Sequence, residues 1–185
     1  ISFTATGDTT NKSTGAANAT LTAKANTAVT IDVSGAKSDS KGFTLEGGTG
    51  SGADILTGGA GVDIITGGAQ IDTITGNGGA DTISGGAGND IITGGSGNDI
   101  ITIDVGTDKV LDLGGSGSGG ESDVVVIEAN ATLTATDVIS FTATGDTTNK
   151  STGAANATLT AKANTAVTID VSGAKSDSKG FTLEG

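Results

Sequence analysis

The chain has 185 residues, a formal net charge of −12, 33 glycines and no His, Cys, Met, Trp, Tyr or Pro. Such an acidic chain excludes nucleic acid as a partner, because nucleic acid demands a basic surface. No apolar run is long enough to insert into a membrane, and without Cys there is no disulfide framework.

Residues 1–48 are predicted to be a β-rich flanking segment. Its stretches ISFTAT, NATLTAKA, AVTIDVSG and GFTLEG alternate small or apolar residues with Thr, Ser or Lys, which is the period of a β-strand. Low-complexity disorder is the alternative for a segment so rich in Thr, Ser, Ala and Gly. The placement of Phe3, Leu21, Ile31 and Phe43 favours a thin packed β-layer instead.

Residues 49–111 contain an aspartate at every ninth position. Three blocks are complete: GGAGVDIIT from Gly58, GGAGNDIIT from Gly85 and GGSGNDIIT from Gly94. The blocks TGSGADILT, GGAQIDTIT and GNGGADTIS are slightly changed, and IDVGTDKVL from Ile103 is degenerate. The seven aspartates are Asp54, Asp63, Asp72, Asp81, Asp90, Asp99 and Asp108.

Each block divides into a six-residue glycine-rich loop and a three-residue strand. Side chains alternate along a strand, so one residue of the three faces inward. The predicted inward residues are all branched aliphatics: Leu56, Ile65, Ile74, Ile83, Ile92, Ile101 and Val110. Two blocks then form one coil, and successive coils stack with strands about 4.8 Å apart.

Stacking brings the aspartates of alternate blocks onto one edge, where neighbouring carboxylates repel each other and need a cation. Aspartate oxygens and glycine-loop carbonyls are hard ligands at flexible spacing, which suit Ca²⁺ better than Mg²⁺ or Zn²⁺. Solvated Gly-Asp turns would not require aspartate at one fixed phase. A phosphate loop is disfavoured because no Gly-Lys-Ser/Thr motif or helix pattern follows.

These blocks resemble the RTX (repeats-in-toxin) nonapeptide GGxGxDxUx, in which U is a large apolar residue. The resemblance implies an all-β, right-handed parallel β-roll, with each Ca²⁺ between adjacent loops on one edge. The implied pairs are Asp54–Asp72, Asp72–Asp90, Asp90–Asp108, Asp63–Asp81 and Asp81–Asp99. That implies about five ions, and fewer if the block at Ile103 or the loop with Gln70 cannot close. The implied backbone ligands come from the first and third loop positions: Gly58, Gly67, Gly76, Gly85, Gly94, Ala60, Ala69, Gly78, Ala87 and Ser96.

Residues 112–138 are predicted to be an acidic loop and closing strands. Asp112, Glu121 and Asp123 are candidates for another calcium site, but a flexible acidic linker is the favoured interpretation. VVVIEA from Val124 is a strong strand, and NATLTATDVIS continues the alternation.

Residues 139–185 repeat residues 1–47 without a difference, at an offset of 138. The repetition comes either from a recent tandem duplication or from engineering. We favour a tandem array with a unit of 138 residues, in which neighbouring units cover the ends of each roll.

The absence of His, Cys and Arg, and of any nucleophile–base pair outside the aspartates, predicts that the chain is not an enzyme. Its composition resembles that of bacterial S-layer proteins and giant repeat adhesins. We therefore expect a secreted, calcium-stiffened structural repeat of a surface filament, adhesin or S-layer, exported through type I secretion. Expected partners are further copies of the chain, with cell-surface polysaccharide as another candidate. The alternative is a calcium-dependent C-terminal folding and secretion module of a secreted RTX enzyme or toxin.

Overall fold

The computed structural model describes residues 2–4, 19–22, 28–36, 41–113, 123–128, 131–138, 140–142, 148–149, 157–161, 168–170 and 181–184. Within these residues the secondary structure consists of strands, with no helix, and so no helix that is long and apolar enough to cross a membrane. The strands are β1 Ser2–Thr4, β2 Ala19–Thr22, β3 Thr30–Asp32, β4 Phe43–Glu46, β5 Ile55–Thr57, β6 Ile64–Ala69, β7 Thr73–Gly78, β8 Thr82–Ala87, β9 Ile91–Ser96, β10 Ile100–Ile103, β11 Gly106–Val110, β12 Val124–Ile127, β13 Ala131–Val138, β14 Ser140–Thr142, β15 Thr148–Asn149, β16 Ala157–Ala161, β17 Thr168–Asp170 and β18 Phe181–Glu184.

Successive strands from β1 to β13 alternate between two parallel sheets. The nine-stranded sheet has the order β1-β3-β5-β7-β9-β11-β13-β16-β18, and the seven-stranded sheet has the order β15-β12-β10-β8-β6-β4-β2. The strands β14 and β17 form a separate parallel pair. This alternation is the topology of a parallel β-roll and confirms the predicted fold class.

The coils differ in length along the roll. Within the nonapeptide stretch, paired residues such as Ile64 and Thr82 are 18 positions apart, which is two blocks. Outside that stretch the coils are longer: Ala19 pairs with Phe43, and Ile100 pairs with Val124. The four strands predicted in residues 1–47 are present, and they extend the same two sheets that the nonapeptides form. The boundaries of the predicted segments stay a prediction.

The core is the narrow space between the two sheets. The seven residues predicted to face inward all lie there with at most 1% of their surface exposed. Val33, Leu45, Val125 and Leu133 continue the same apolar column beyond the repeats. Fully burying one aliphatic side chain contributes about 1.5–3 kcal/mol, so this column is the main apolar stabilisation of the roll.

The outer faces carry apolar residues at regular intervals. Ile55 and Ile91 lie on the nine-stranded sheet, and Ile64 and Ile100 lie on the seven-stranded sheet. Each is between 38% and 48% exposed, so these side chains are accessible from outside the roll. The sequence-based assignment of strand faces is therefore confirmed on both sides.

Candidate metal centre

Six of the seven aspartates directly precede a strand and Asp108 lies within β11, so the roll stacks the aspartates in two rows. The first row, along the nine-stranded sheet, is Asp54, Asp72, Asp90 and Asp108. The second row, along the seven-stranded sheet, is Asp63, Asp81 and Asp99. All seven residues are at most 1% exposed. Carboxylates are seldom so buried unless they are paired or bind a cation.

Hydrogen bonds link each aspartate to the next one in its row. The backbone N–H of Asp72 donates to Asp90 Oδ1 at 2.8 Å, and the N–H of Asp63 donates to Asp81 Oδ1 at 2.7 Å. The same contact, one coil apart, joins Asp54 to Asp72, Asp90 to Asp108 and Asp81 to Asp99. These five contacts join the same five pairs that the sequence resemblance implies for calcium.

The second carboxylate oxygen has a different environment. In Asp72, Asp81, Asp90 and Asp108 the Oδ2 atom is buried and has no hydrogen-bond partner. A buried ionised oxygen without a partner is strongly destabilising unless a cation or a proton neutralises it. The rows are therefore incomplete without a positive charge.

The unpartnered oxygens lie close to the first glycine of their blocks. A Cβ atom added at Gly76 would meet both Asp81 Oδ2 and the carbonyl oxygen of Gly94. One at Gly67 would meet Asp72 Oδ2, at 2.5 Å, and the carbonyl oxygen of Gly85. Glycine at these two positions thus lets a carboxylate oxygen and a carbonyl oxygen of the next coil approach the same part of the backbone.

This donor set fits calcium. Ca²⁺ takes six to eight oxygen ligands at flexible geometry, and carboxylate and backbone carbonyl oxygens both serve. Among the residues that the structure describes, no three His, Cys, Asp or Glu side chains converge as a metal-binding group. Backbone carbonyls must therefore complete each site, which accounts for the glycines on the loops.

The predicted backbone ligands divide into two groups. The first-position glycines Gly58, Gly67, Gly76, Gly85 and Gly94 are all buried beside the aspartate rows. The third-position residues Ala60, Ala69, Gly78, Ala87 and Ser96 are half-buried or exposed, and the last four of them end the strands β6 to β9. The carbonyl oxygen of Ser96 accepts a hydrogen bond from the N–H of Gly79 at 2.9 Å. The role of both groups as ligands stays a prediction.

Burial raises the pKa of five carboxyl groups in the two rows. Desolvation is the largest cause throughout, and it raises the pKa of Asp81 to about 7 and the pKa of Asp72 and Asp108 to about 6. The pKa values of Asp63 and Asp90 are raised for the same reason. Neighbouring carboxylates of the row, such as Asp63 and Asp99 beside Asp81, raise the pKa further. The rows therefore bind positive charge strongly, as protons or as a metal ion.

Two altered loops keep the conformation of their neighbours. Gln70 replaces the fourth-position glycine and has φ of 82°, and Asn77 replaces the second-position glycine with φ of 76°. Both lie in the left-handed region that glycine occupies elsewhere in the roll. The Asn77 side chain donates to the Gly58 carbonyl at 2.8 Å, which offsets part of its strain. The Gln70 loop thus retains the shape that its site requires.

In the degenerate block from Ile103, a different contact holds the loop against the preceding coil. Asp104 occupies its second position, and Asp104 Oδ2 accepts hydrogen bonds from Ser84 Oγ at 2.5 Å and from the Gly86 N–H at 3.3 Å. Asp108 still takes its place in the row and accepts from the Asp90 N–H. A side-chain carboxylate therefore contributes to closing the loop in this block.

Asp123 extends the second row beyond the repeats. The N–H of Asp99 donates to Asp123 Oδ1 at 2.9 Å, although the two residues are 24 positions apart. Asp123 is 2% exposed. Sequence reasoning favoured a flexible linker here because the nine-residue phase is lost. The usable signal was the order Asp-Val-Val-Val-Ile, an aspartate directly before an apolar strand. Of the other two candidates, Asp112 accepts from the N–H groups of Gly94 and Gly95, and Glu121 lies outside the described residues.

Stacked parallel coils, two buried aspartate rows and carbonyl oxygens beside the glycines together define a calcium-binding β-roll repeat. Comparison with family models agrees: residues 44–74, 66–101 and 75–110 match the RTX calcium-binding nonapeptide repeat. Residues 44–110 of the chain thus carry RTX repeats. Searches of curated proteins and of solved structures found no match.

Proposed function

We propose that the chain is an extracellular structural repeat whose β-roll folds and stiffens on binding calcium, as part of a bacterial surface filament, adhesin or S-layer. The observation that carries the proposal is the pair of buried aspartate rows, with the unpartnered Oδ2 atoms of Asp72, Asp81, Asp90 and Asp108. A solenoid with such rows is stable only when positive charge fills them.

Charge balance supports calcium as the controlling ion. The chain has a formal net charge of −12. About five Ca²⁺ ions would supply roughly ten positive charges, which brings the loaded chain close to neutrality. Where calcium is scarce, as inside a bacterial cell, the carboxylates repel each other and keep the chain unfolded for export. Outside the cell, calcium binds between the carboxylates of each row and the roll folds.

The structural role is supported by the repeated segment and by the kind of motif. The RTX β-roll is a structural calcium-binding motif, and residues 139–185 begin a second copy of the sequence at residue 1. Tandem units of this type build long, stiff arrays. The exposed Ile55, Ile64, Ile91 and Ile100 offer apolar contacts for self-association between neighbouring molecules. Cell-surface polysaccharide is a second candidate partner.

Circular dichroism and light scattering on the whole 185-residue chain test this proposal. After chelation, a calcium titration should convert coil to β-structure, and an equal concentration of magnesium should not. A rise in scattering that accompanies folding supports an assembling surface protein. A folded chain that stays monomeric favours the alternative, a folding and secretion module. A β-signal that is indifferent to chelator would refute calcium control.

A further inference from the structure

The repeated segment allows one sequence to be compared at two places in the same roll. In the first copy, β2 and β4 pair with Ala19 opposite Phe43, at the end of the seven-stranded sheet. In the second copy, β16 and β18 pair in the same register, with Ala157 opposite Phe181. This second pair, however, lies at the end of the nine-stranded sheet. Identical sequences therefore occupy opposite sides of the solenoid.

One column of paired residues on each sheet shows the exchange residue by residue. On the seven-stranded sheet the column is Thr20, Thr44, Ile64, Thr82, Ile100 and Val124. On the nine-stranded sheet the corresponding column ends Ile91, Lys109, Thr134, Thr158 and Thr182. Thr158 has the same place in the repeat as Thr20. Thr158 pairs with Thr134 in the nine-stranded sheet. Its counterpart Thr20 belongs to the column of the seven-stranded sheet, which ends at Val124.

The pairing of the strands in the second copy locates the exchange. The described part of residues 1–138 contributes thirteen strands, β1 to β13, which alternate between two sheets, and β13 lies on the nine-stranded sheet. In the second copy β15 pairs with β12 and β16 pairs with β13, so β16 joins the nine-stranded sheet. The strands β14 and β17, which correspond to β1 and β3, pair with each other outside both sheets.

The joint between the copies is a continuation of the core. Leu133 and Ala135 of β13 are fully buried, and Ala157 of β16 is 1% exposed. In register, Ala135 lies opposite Leu159, with a bulge before Val138. The last apolar layer of the first copy is therefore covered by the first strands of the second.

We propose that consecutive copies of the 138-residue unit form one continuous solenoid in which each copy is rotated by half a turn about the solenoid axis. A surface feature of the unit then appears on alternate sides and returns to the same side after two units. At about 4.8 Å per strand, that period is roughly 60 Å. Contacts specific to one face of the unit would thus form on both sides of a filament. This inference goes beyond the proposed function and does not require calcium as the ligand.

Disulfide trapping in the full chain tests the joint, because the chain has no Cys of its own. Residues opposite each other on parallel strands lie about 4.8 Å apart, which is within reach of a disulfide. The variant Thr134→Cys/Thr158→Cys probes the half-turn, and Val124→Cys/Thr158→Cys probes stacking on the same side. The matched control Thr73→Cys/Ile91→Cys probes two paired strands inside the roll.

Each variant is oxidised in calcium, and the intramolecular disulfide is quantified by mass spectrometry. We expect the 134–158 pair to form as completely as the 73–91 control, and the 124–158 pair to form at least tenfold less. Preferential formation of the 124–158 pair would overturn the half-turn. So would failure of both joint pairs while the control forms. If the control also fails, the roll itself is absent, and the proposed function falls together with the joint.

Discussion

Replacing Asp81 by Asn should change stability in opposite directions with and without calcium. Asp81 is central in its row and belongs to two predicted sites, with Asp63 and with Asp99. Its carboxylate has one partnered oxygen, Oδ1, and one buried oxygen, Oδ2, without a partner. The amide of Asn is neutral and nearly isosteric, so the fold is retained while the charge is removed.

Without calcium, Asp81→Asn should stabilise the roll. Burial raises the pKa of Asp81 from 3.8 to about 7, which measures the cost of the ionised form at pH 8. About three pH units correspond to about 4 kcal/mol at most, and solvent screening reduces this to about 2 kcal/mol.

With calcium, the same change should destabilise the roll. Each site filled at a hundred times its dissociation constant contributes about 2.7 kcal/mol, so loss of two sites costs about 5 kcal/mol. In calcium, the assay is urea unfolding followed by circular dichroism at pH 8. In chelator, where the wild-type chain is coil, the assay is the β-signal regained when a stabilising osmolyte is added at the same pH. The control is Asp32→Asn, an aspartate outside the rows whose carboxylate accepts from Ser34. We expect it to shift stability by about 0.5 kcal/mol or less in both conditions. A change of the same sign in both conditions for Asp81→Asn would refute the reasoning.

Three further predictions concern protons, loops and core. In chelator, the folded state binds more protons than the unfolded state between pH 4 and 7, because the pKa values of Asp72, Asp81 and Asp108 are raised; β-structure should therefore be regained as pH falls from 7.5 to 5 and be lost as pH rises through 6–7, and a β-signal that does not change with pH would contradict this. Gln70→Gly should raise the free energy of unfolding by about 1 kcal/mol by removing left-handed strain, whereas Asn77→Gly should gain less because it loses the bond to Gly58. Ile83→Ala should cost about 2–5 kcal/mol by opening a core cavity, and Ile55→Ala, on the exposed face, below 1 kcal/mol; equal costs would mean that the faces are wrongly assigned.

The sequence predicts the nonapeptide region well because one short rule repeats there. The nine-residue period sets the length of a coil at two blocks. The alternation of side chains along each strand assigns Leu56 to the core and Ile55 to the surface, as the structure shows. The pairs of neighbouring aspartates follow from the same stacking. The rule requires no knowledge of distant contacts, since each block meets only equivalent blocks one coil away.

The flanking coils are less predictable because their lengths vary. Asp123 lies 24 positions after Asp99, so counting in nines misses it, although it takes the next place in the row and accepts from the Asp99 N–H. The sheet that a strand joins depends on the strand against which it stacks. The sheet of β16 therefore depends on the whole preceding unit, and its local sequence, identical to that of β2, does not determine it.

Counting bound calcium by equilibrium dialysis tests the central claim most directly. We expect five to six ions on the 185-residue chain, since five aspartate pairs lie in the repeats and Asp99–Asp123 forms a further pair. In the Asp81→Asn variant about two ions should be lost, because that carboxylate serves two sites. Binding of fewer than two ions to the wild-type chain, or an unchanged count in the variant, would contradict the assignment of the aspartate rows as the calcium sites.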